Sequence, residues 1–460
     1  MMDLREAASA TGGHVPGLNP GFSGVSSDTR SIGPGELFVA LRGENFDGHD
    51  YLGVAAKNGA VAALVDARWA ADNAAPLPLL VVGDTRLALG RLAAHWRGKF
   101  AIPLVGITGS NGKTTVKEMT AAILRAQARL DGFGDDAVLA TVGNLNNDIG
   151  LPLTLLKLSA GHRAAVIEMG MNHPGEIAYL TDIARPTVAL VNNAQRAHLE
   201  GMGGLSEVAE EKGSIYAGLM EGGVAVVNAD DSFGAFWRGL NDGRRVVSFG
   251  LDKPADVSAS CECRGLSCYI RLQTDASEIE VMQRLPGRHN VRNALGAAAS
   301  ALAASASALA VKEGLSGFTG VKGRLQQKPA LKGAILIDDS YNANPDSVRA
   351  AIDVLTASPG KTILVLGDMG EIGERAGQLH DEVGGYAKSQ GVDRLFALGE
   401  FSEAAVGNFG HGARHFNRVE DLITALTPEL GPDVVVLVKG SRFMRMERVA
   451  DAISEVKSEK

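Results

Sequence analysis

Continuous runs of hydrophobic residues, each of strand length, recur along the chain and alternate with segments whose apolar positions repeat at helical spacing. Within the first 84 residues the runs are short and separated by turn-forming residues, and they lie at 36–41, 60–65 and 79–82. Beyond them the runs lie at 101–105, 164–167, 187–191, 224–227, 334–337, 362–366, 394–397 and 434–438. Uninterrupted apolar runs are typical of parallel strands covered on both faces, and their alternation with helices predicts α/β domains.

One strand-to-helix junction carries recognisable chemistry. The run at 101–105 leads into Gly-Ile-Thr-Gly-Ser-Asn-Gly-Lys-Thr-Thr at 106–115, and a helical pattern follows. In such a loop the glycines let backbone N–H groups surround phosphate oxygens, Lys113 can reach the outer phosphates, and Thr114 can offer its hydroxyl to Mg²⁺. A general phosphate loop has glycine where this chain has Ile107, and a glycine-rich turn without a ligand is the alternative. The strand–turn–helix context favours a nucleoside triphosphate site.

These patterns predict an α/β protein of three domains. Residues 1–84 would form a small N-terminal α/β domain. Residues 85–327 would form a central P-loop ATPase-like domain with a mostly parallel sheet, beginning at a helix for which Asp84 is a suitable N-cap. Residues 328–460 would form a C-terminal Rossmann-like, doubly wound domain. A length of 460 residues fits three domains.

Composition narrows the class of protein. A net charge of −8 gives no reason to expect nucleic acid or an anionic membrane surface as a partner. The N-terminal residues carry acids rather than an apolar run, so no signal peptide is expected, and the alanine-rich segment 294–311 predicts a packed helix rather than a membrane span. Three cysteines, at 261, 263 and 268, fit the inner face of a β-meander better than a zinc site, and favour a cytoplasmic protein.

Polar residues follow the apolar runs of the central domain, where the carboxyl ends of parallel strands form active sites. Glu168 directly follows one run and can hold Mg²⁺ opposite the phosphate loop, although a solvated strand-end glutamate is the alternative. His198 follows the next run and is either a ligand or an ordinary loop histidine. The asparagine-dense segment 143–152 can bind an uncharged or polyhydroxylated ligand, or can simply form turns.

Lys212 lies in a segment, 206–217, that predicts a helix with Ser206 as its N-cap. Its helical neighbours at i−3, i−4, i+3 and i+4 are apolar, so the lysine shares the inward face. Burial would lower the pKa of its ammonium group unless the stem alone is buried and the head reaches solvent. A neutral amine at this position could react with CO₂ to give a carbamate, an anion useful beside Mg²⁺.

Several segments together resemble the Mur ligases, ATP-dependent enzymes that form amide bonds in peptidoglycan precursor synthesis. They are Gly-Ser-Asn-Gly-Lys-Thr-Thr at 109–115, Gly-Asn-Leu-Asn-Asn at 143–147, Glu-Met-Gly-Met at 168–171 and Ala-His-Leu-Glu at 197–200. The loop typical of this family, Thr-Gly-x-x-Gly-Lys-Thr, has no required glycine at the position of Ile107, which explains the departure from the general phosphate loop. Within the family, Asp-Asp-Ser-Tyr-Asn-Ala-Asn-Pro at 338–345 is similar to the branch that adds D-alanyl-D-alanine to UDP-N-acetylmuramoyl-tripeptide.

The resemblance implies roles for individual residues. ATP would be bound by Gly109, Asn111, Gly112, Lys113, Thr114, Thr115, Asn290, Asn293, Arg324, and Asp338 or Asp339. Two Mg²⁺ ions would be held by Thr114, Glu168, His198 and a carbamylated Lys212, and the catalytic residues would be Lys113, Glu168, His198 and Lys212. The peptide and nucleotide substrates would be bound by Ser27, Asp28, Thr29, Arg30, Asn45, Asp47, His49, Asn144, Asn146, Asn147, Tyr341, Asn342 and Asn344.

The expected reaction activates the tripeptide carboxylate as an acyl phosphate, which the amine of the dipeptide then attacks. We expect a monomer whose substrates are UDP-N-acetylmuramoyl-tripeptide and D-alanyl-D-alanine, without membrane insertion. Two other hypotheses remain open from the sequence: a sister ligase that adds a different amino acid, and a P-loop nucleotide switch or transport ATPase. The second would leave the polar strand ends of the third domain unexplained.

Overall fold

The computed structural model describes residues 1–197, 199–264 and 267–455, arranged around one small and three larger sheets. The N-terminal part contains β1 (Met2–Asp3), α1 (Leu4–Thr11), β2 (Gly21–Phe22), β3 (Gly24–Ser26), β4 (Glu36–Val39), α2 (Leu52–Lys57), β5 (Ala62–Asp66), α3 (Ala67–Asp72) and β6 (Leu79–Val82). Strands β3 to β6 form a four-stranded parallel sheet. None of the helices described in these ranges is long and apolar enough to cross a membrane.

The central part is built on a nine-stranded sheet in the order β15-β14-β13-β12-β11-β10-β7-β9-β8. Its first elements are α4 (Thr85–Arg97), β7 (Leu104–Thr108), α5 (Lys113–Leu130), β8 (Val138–Ala140), α6 (Gly150–Leu155), β9 (Ala164–Glu168), α7 (Glu176–Ala184) and β10 (Val188–Val191). They continue with α8 (Leu199–Met202), α9 (Leu205–Gly213), β11 (Val224–Asn228), α10 (Gly234–Gly239), β12 (Arg245–Gly250), β13 (Val257–Arg264), β14 (Ser267–Gln273), β15 (Glu278–Gln283), α11 (Arg288–Ala303) and α12 (Ala308–Ser316). Strands β8 to β13 are parallel to their neighbours, and only β13, β14 and β15 pair antiparallel.

The C-terminal part has a six-stranded sheet in the order β16-β17-β21-β18-β19-β20 with helices on both faces. Its elements are β16 (Gln326–Pro329), β17 (Ile335–Asp339), α13 (Pro345–Thr356), β18 (Lys361–Gly367), α14 (Ala376–Ser389), β19 (Arg394–Leu398), α15 (Ser402–Phe409), β20 (Ala413–Phe416), α16 (Val419–Leu426), β21 (Val434–Lys439) and α17 (Glu447–Ile453). The predicted α/β class with a mostly parallel central sheet and a doubly wound third sheet is confirmed. The boundary placed at 327/328 falls inside β16, and the division into domains stays a prediction.

Local chemistry explains where the key helices begin. Asp84 caps α4 as predicted, because its carboxylate accepts hydrogen bonds from the backbone of Arg86 and Leu87. Helix α9 begins at Leu205 after Gly204, so the N-cap predicted at Ser206 is wrong by two residues. The apolar face of α4 joins the core of the first sheet to one face of the central sheet in a continuous cluster.

The meander of β13, β14 and β15 forms as the alternation predicted. Cys268, Ile270 and Leu272 are buried on one face, together with Ile279 and Val281 on the next strand. The three cysteines share that face as predicted, because Cys263 is directly opposite Cys268 and Cys261 is directly opposite Ile270. Cys263 and Cys268 form a disulfide across the β13–β14 pair, which the sequence did not lead us to expect.

Candidate active site

The carboxyl ends of the central strands and of the third sheet open onto one cleft of about 1300 Å³. In the central sheet β7 lies between β10 and β9, so that Thr108 is opposite Val191 and Ile107 is opposite Glu168. The residues that follow these strands therefore emerge side by side at one edge, as expected for parallel sheets. In the third sheet Asp339 at the end of β17 is opposite Lys439 at the end of β21.

The phosphate loop joins β7 to α5, and Lys113 is the first residue of that helix. Gly112 has φ +78°, and a Cβ atom there would lie 2.5 Å from the Asn293 side-chain oxygen, so only glycine fits. The Lys113 ammonium donates to the carbonyl oxygens of Gly109 at 2.7 Å and Ser110 at 3.3 Å. Burial lowers its pKa, although the carboxylate of Glu168 opposes the shift.

Neutral amides hold this loop in place. Asn193 accepts the backbone N–H of Asn111 at 2.8 Å, and Asn192 donates to the Asn111 carbonyl at 2.9 Å. The Asn111 side chain donates to Gln195 at 2.6 Å and accepts from Asn344 of the third domain at 2.7 Å. Asn111 thus links the phosphate loop to the C-terminal domain without adding charge beside a triphosphate.

Glu168 is 2% exposed and fits the role predicted for it. Its Oε1 accepts from the Asn146 side chain at 2.8 Å, and its backbone N–H donates to the Thr141 hydroxyl at 3.0 Å. Within the described ranges its Oε2 is buried and has no hydrogen-bond partner. A buried carboxylate oxygen without a partner costs free energy, which a divalent cation would recover, so the residues present fit Mg²⁺.

Lys212 is 1% exposed, which confirms the inward orientation predicted from its apolar neighbours. No hydrogen bond or ion pair joins its ammonium group to another residue that the structure describes. Burial first, and the like charge of Lys113 second, lower the pKa of Lys212 well below its usual value. The preceding residue, Glu211, fixes this helix against α7 by accepting the backbone N–H groups of Gly175 and Ile177, both at 2.8 Å. His198, the other predicted ligand, lies outside the described residues.

The predicted adenine side of the cleft is formed by the start of α11. Asn293 accepts a hydrogen bond from Asn192 at 3.0 Å and donates to Asn290 at 3.1 Å. Both line the cleft close to Gly112. His289 lines it as well, and burial lowers its pKa to about 4, so the imidazole is neutral at physiological pH.

Arg324 connects the third domain to the phosphate loop. Its guanidinium donates to the Thr114 hydroxyl at 3.0 Å and lies 4.3 Å from the centre of the Tyr341 ring. A cation beside the loop can contact phosphate oxygens, as the resemblance implies for this residue. Because Arg324 contacts both Thr114 and Tyr341, these two residues border the same part of the cleft, although Thr114 is predicted to bind Mg²⁺ and Tyr341 the peptide substrate.

The two adjacent acids at the end of β17 have different surroundings. Asp339 lines the cleft, where its carboxylate binds the Lys439 ammonium at 2.5 Å and accepts the Leu325 N–H at 3.1 Å. Burial nevertheless raises the pKa of Asp339. Asp338 is turned into the protein, paired with Lys328 at 2.6 Å and with the Ser340 hydroxyl at 2.6 Å, and it does not line the cleft. Of the two alternatives for ribose, the geometry favours Asp339.

Comparisons with known proteins agree with this geometry. Family models match residues 21–97 (Mur ligase family, catalytic domain), 107–301 (Mur ligase middle domain) and 323–442 (Mur ligase, glutamate ligase domain). The chain is 42% identical to the UDP-N-acetylmuramoyl-tripeptide–D-alanyl-D-alanine ligase of Escherichia coli (strain K12), over 98% of each chain. The chain belongs to the Mur ligase family.

Solved structures of Mur ligases superpose on the whole chain. One is the UDP-N-acetylmuramoylalanyl-D-glutamyl-2,6-diaminopimelate–D-alanyl-D-alanyl ligase of Acinetobacter baumannii, with a TM-score of 0.85, 35% identity and coverage of 98% of this chain and 97% of that one. Another is the MurF ligase of Thermotoga maritima in complex with ADP, with a TM-score of 0.78, 27% identity and coverage of 93% and 96%.

The substrate residues predicted in the N-terminal domain of this Mur ligase do not reach the cleft. Asp28 and Arg30 form an exposed ion pair, which lowers the pKa of Asp28 to about 2. The side chain of His49 is fully buried between Asp47 and Asp66 and does not line the cleft, and its substrate-binding role stays a prediction. Ser27, Thr29 and Asn45 also lie outside the cleft lining.

The asparagine-dense loop divides between two roles. Asn146 contacts Glu168, whereas Asn147 accepts the backbone N–H of Gly150, the first residue of α6, at 2.9 Å and also lines the cleft. Asn144 is exposed and is not part of the lining. On the opposite wall Tyr341, Asn342 and Asn344 all line the cleft.

Sequence reasoning missed residues that shape the site of this Mur ligase. Asn192, Asn193 and Gln195 position the phosphate loop, and their place directly after β10 was the available signal. Arg196 binds Asp346 at 2.7 Å and Glu382 at 3.0 Å, joining the same loop to α13 and α14. These ion pairs raise the pKa of Arg196 and lower that of Glu382. Asp346 and Glu382 are far from Arg196 in the sequence, and no local sequence pattern indicates that they form ion pairs with it.

Proposed function

We propose that this chain joins D-alanyl-D-alanine to UDP-N-acetylmuramoyl-tripeptide and converts ATP to ADP and phosphate. The product is the UDP-linked pentapeptide used in peptidoglycan synthesis. The observation that carries the proposal is the placement of Lys113 and the unbonded Glu168 oxygen across one cleft from Asp339 and Tyr341. Relatives over nearly the full length bear the name of this ligase.

The mechanism follows from charge. The terminal carboxylate of the tripeptide attacks the γ-phosphorus of ATP, and the bond from that phosphorus to the oxygen that bridges it to the β-phosphate breaks. ADP departs, and the tripeptide now carries an acyl phosphate. Carboxylate and triphosphate repel each other, and the Lys113 ammonium offsets that repulsion. Thr114 and Glu168 would hold Mg²⁺, which neutralises phosphate charge when it is bound.

The second step forms the amide. The neutral amine of D-alanyl-D-alanine attacks the acyl carbon, and the tetrahedral intermediate expels inorganic phosphate as the amine loses a proton. The acyl phosphate hydrolyses in open water, so the walls of the cleft must enclose it. Asn111 with Asn344, and Arg196 with Asp346, are among the contacts that join the central and C-terminal parts around it.

We also propose that Lys212 is carbamylated in the active enzyme. A neutral amine nitrogen attacks CO₂, forms the N–C bond and releases a proton, which replaces a buried cation with an anion. The support is the buried amine, which lacks a partner among the described residues and has a lowered pKa. Lys212→Ala should lose most activity, and a short-chain carboxylate or bicarbonate should restore part of it. Full activity of the alanine variant would contradict the carbamate.

ADP release is the test of the overall function. Purified protein is mixed with ATP, Mg²⁺ and UDP-N-acetylmuramoyl-tripeptide, and one amino acid or dipeptide at a time is added. D-alanyl-D-alanine should give the highest kcat/KM, with a product heavier by the dipeptide less one water. Faster turnover with another amino acid would identify a sister ligase. Turnover that needs no muramoyl peptide would identify a nucleotide switch or transport ATPase.

The enzyme is proposed to act as a monomer in the cytoplasm, where both of its nucleotide substrates are available. Sedimentation at the concentration used for the activity assay should give a mass close to 47.9 kDa. Activity that falls on dilution below a dimer dissociation constant would contradict the monomer.

A further inference from the structure

A second lysine lies one helical turn beyond Lys113 on α5 and is buried. Lys117 is 0% exposed and does not line the cleft. Its ammonium group donates to the Thr141 carbonyl at 2.6 Å and forms an ion pair with Glu118. Because an ammonium group is costly to bury, we expect a lysine at such a place to hold a specific partner in position.

The carbonyl that Lys117 binds lies at the edge of the central sheet. Strands β8 and β9 are parallel, and the Thr141 N–H continues their ladder by donating to the Val166 carbonyl at 3.0 Å. In a regular parallel ladder the Glu168 N–H would donate next to the Thr141 carbonyl. It donates instead to the Thr141 hydroxyl at 3.0 Å, and Lys117 binds the carbonyl. One bond of the ladder is therefore replaced by two side-chain contacts.

The chain leaves the sheet at this point and enters the loop that carries Asn146. The Asn146 side chain donates to Glu168 Oε1 at 2.8 Å, and the Asn146 carbonyl accepts the Gly170 N–H at 2.9 Å. A Cβ atom on Gly170 would lie 2.9 Å from the Asn146 side-chain oxygen, so a larger residue would displace the amide. The segment that begins at Thr141 thus contacts both the backbone and the carboxylate of Glu168.

A purely structural buried cation has different contacts in this protein. Arg97 is 2% exposed, and it donates to the backbone carbonyls of Ala184 at 3.1 Å and Phe100 at 2.5 Å. None of these three residues lines the cleft. Lys117 differs from Arg97 because the residue that it binds is itself hydrogen-bonded to Glu168.

We propose that Lys117, acting through Thr141, is a positioning residue for the carboxylate that binds Mg²⁺. Its bond to the Thr141 carbonyl leaves the hydroxyl for the Glu168 N–H and holds the Asn146 loop against Oε1. Glu168 Oε2, which has no partner among the described residues, is then available to the cation. Contacts behind a metal ligand set the orientation and the affinity of that ligand. This inference rests on the Mg²⁺ and ATP chemistry of the function proposed above.

The experiment removes the two contacts separately. Lys117→Met removes the ammonium group and keeps most of the apolar stem. Thr141→Val removes the hydroxyl and keeps the branched shape, and it carries the test if Lys117→Met does not fold. Thr141→Ser keeps the hydroxyl and should behave as the wild type does.

Cation binding is measured directly, by electron paramagnetic resonance of Mn²⁺ in the presence of a non-hydrolysable ATP analogue. The Mn²⁺ dissociation constant should rise by about tenfold in Lys117→Met and in Thr141→Val. In ADP release the Mg²⁺ concentration at half-maximal rate should rise as well, whereas the KM for D-alanyl-D-alanine at saturating Mg²⁺ should not change. Hydrogen exchange at the Glu168 amide should be faster in Thr141→Val, because its acceptor is removed.

The matched controls are Arg97→Met, which removes a buried cation bound to carbonyls, and Thr120→Val, which removes a buried hydroxyl that bonds within α5. Both should keep the wild-type affinity for Mn²⁺, whatever their unfolding temperatures. Wild-type Mn²⁺ affinity in folded Lys117→Met or in Thr141→Val, or an equal loss in the controls, would overturn this inference and leave the ligase function intact. A wild type that binds no Mn²⁺ with the nucleotide would instead refute the proposed function.

Discussion

Two groups of charged side chains lie at strand ends. One belongs to the central sheet and faces the cleft, and the other is the pair of adjacent acids of the third sheet, of which Asp339 faces the cleft and Asp338 does not. In the central group Lys113 donates only to loop carbonyls, Lys212 has no ion pair within the described residues, and one Glu168 oxygen has no partner. In the third-domain group each acid has its own lysine, Asp338 with Lys328 and Asp339 with Lys439.

The difference indicates where the protein relies on its ligands. Unpaired buried charges destabilise a fold, and they are retained where a substrate or ion supplies the opposite charge. Paired charges are already compensated, so they hold a strand end in position whether or not a ligand is present. Substitutions should therefore cost activity in the central group, and stability at the Asp338–Lys328 pair, which does not line the cleft.

Lys113→Met should give the largest loss of activity, because it removes the cation nearest the transferring phosphoryl group. We expect kcat/KM to fall by about 10³-fold or more. Stability should change little, since a partly desolvated charge is replaced by an apolar chain of similar length. Steady-state ADP release and thermal unfolding are measured on the same preparations.

Lys328→Met is the matched control for Lys113→Met, since it removes a lysine whose partner is Asp338. It should lower the unfolding temperature and leave kcat/KM within a few-fold of wild type. If both variants lost activity and stability to the same extent, the comparison between the two groups would fail.

Glu168→Gln should have the next largest effect. The amide keeps the shape and can still accept from Asn146, but it does not attract a cation as a carboxylate does. We expect about a 10²-fold loss of activity and a higher Mg²⁺ concentration at half-maximal rate. An unchanged Mg²⁺ dependence would mean that Glu168 is a structural residue.

Replacing the neighbouring acids separately should distinguish them. Asp339→Asn should raise the KM for ATP about tenfold, because Asp339 lines the cleft. Asp338→Asn should mainly lower the free energy of unfolding, by about 2 kcal/mol, because it leaves Lys328 without its partner. A larger increase in the KM for ATP in Asp338→Asn than in Asp339→Asn would assign ribose binding to Asp338.

Arg196→Ala should have the smallest effect on activity, about a threefold loss in kcat/KM, because partly exposed ion pairs are weak. Its ion pairs with Asp346 and Glu382 join the two domains, and salt screens such pairs. The kcat/KM of the wild type should therefore approach that of the variant as the salt concentration rises. Arg349→Ala serves as the control, since Arg349 binds Glu382 at 2.9 Å within the third domain. An identical salt dependence in all three proteins would show that Arg196 does not couple the domains.

Much of the fold and the phosphate-binding half of the site could be predicted because the signals are local. A strand, a glycine turn and a helix that follow one another determine where Lys113 and Thr114 lie, whatever surrounds them. Lys212 could be oriented because its neighbours at helical spacing are all apolar. The disulfide of Cys263 and the burial of His49 were missed, because both depend on partners brought together by pairing and packing.

The sequence by itself determined the three sheets, their parallel strands and the nucleotide loop, because periodicity and turn chemistry act over a few neighbouring residues. Only the tertiary structure decided which strand-end groups are compensated: that Asp338 turns inward while Asp339 faces the cleft, and that one Glu168 oxygen has no partner in the part of the chain described. The charge balance of a site depends on residues far apart in sequence, and their distances exist only after the domains have packed.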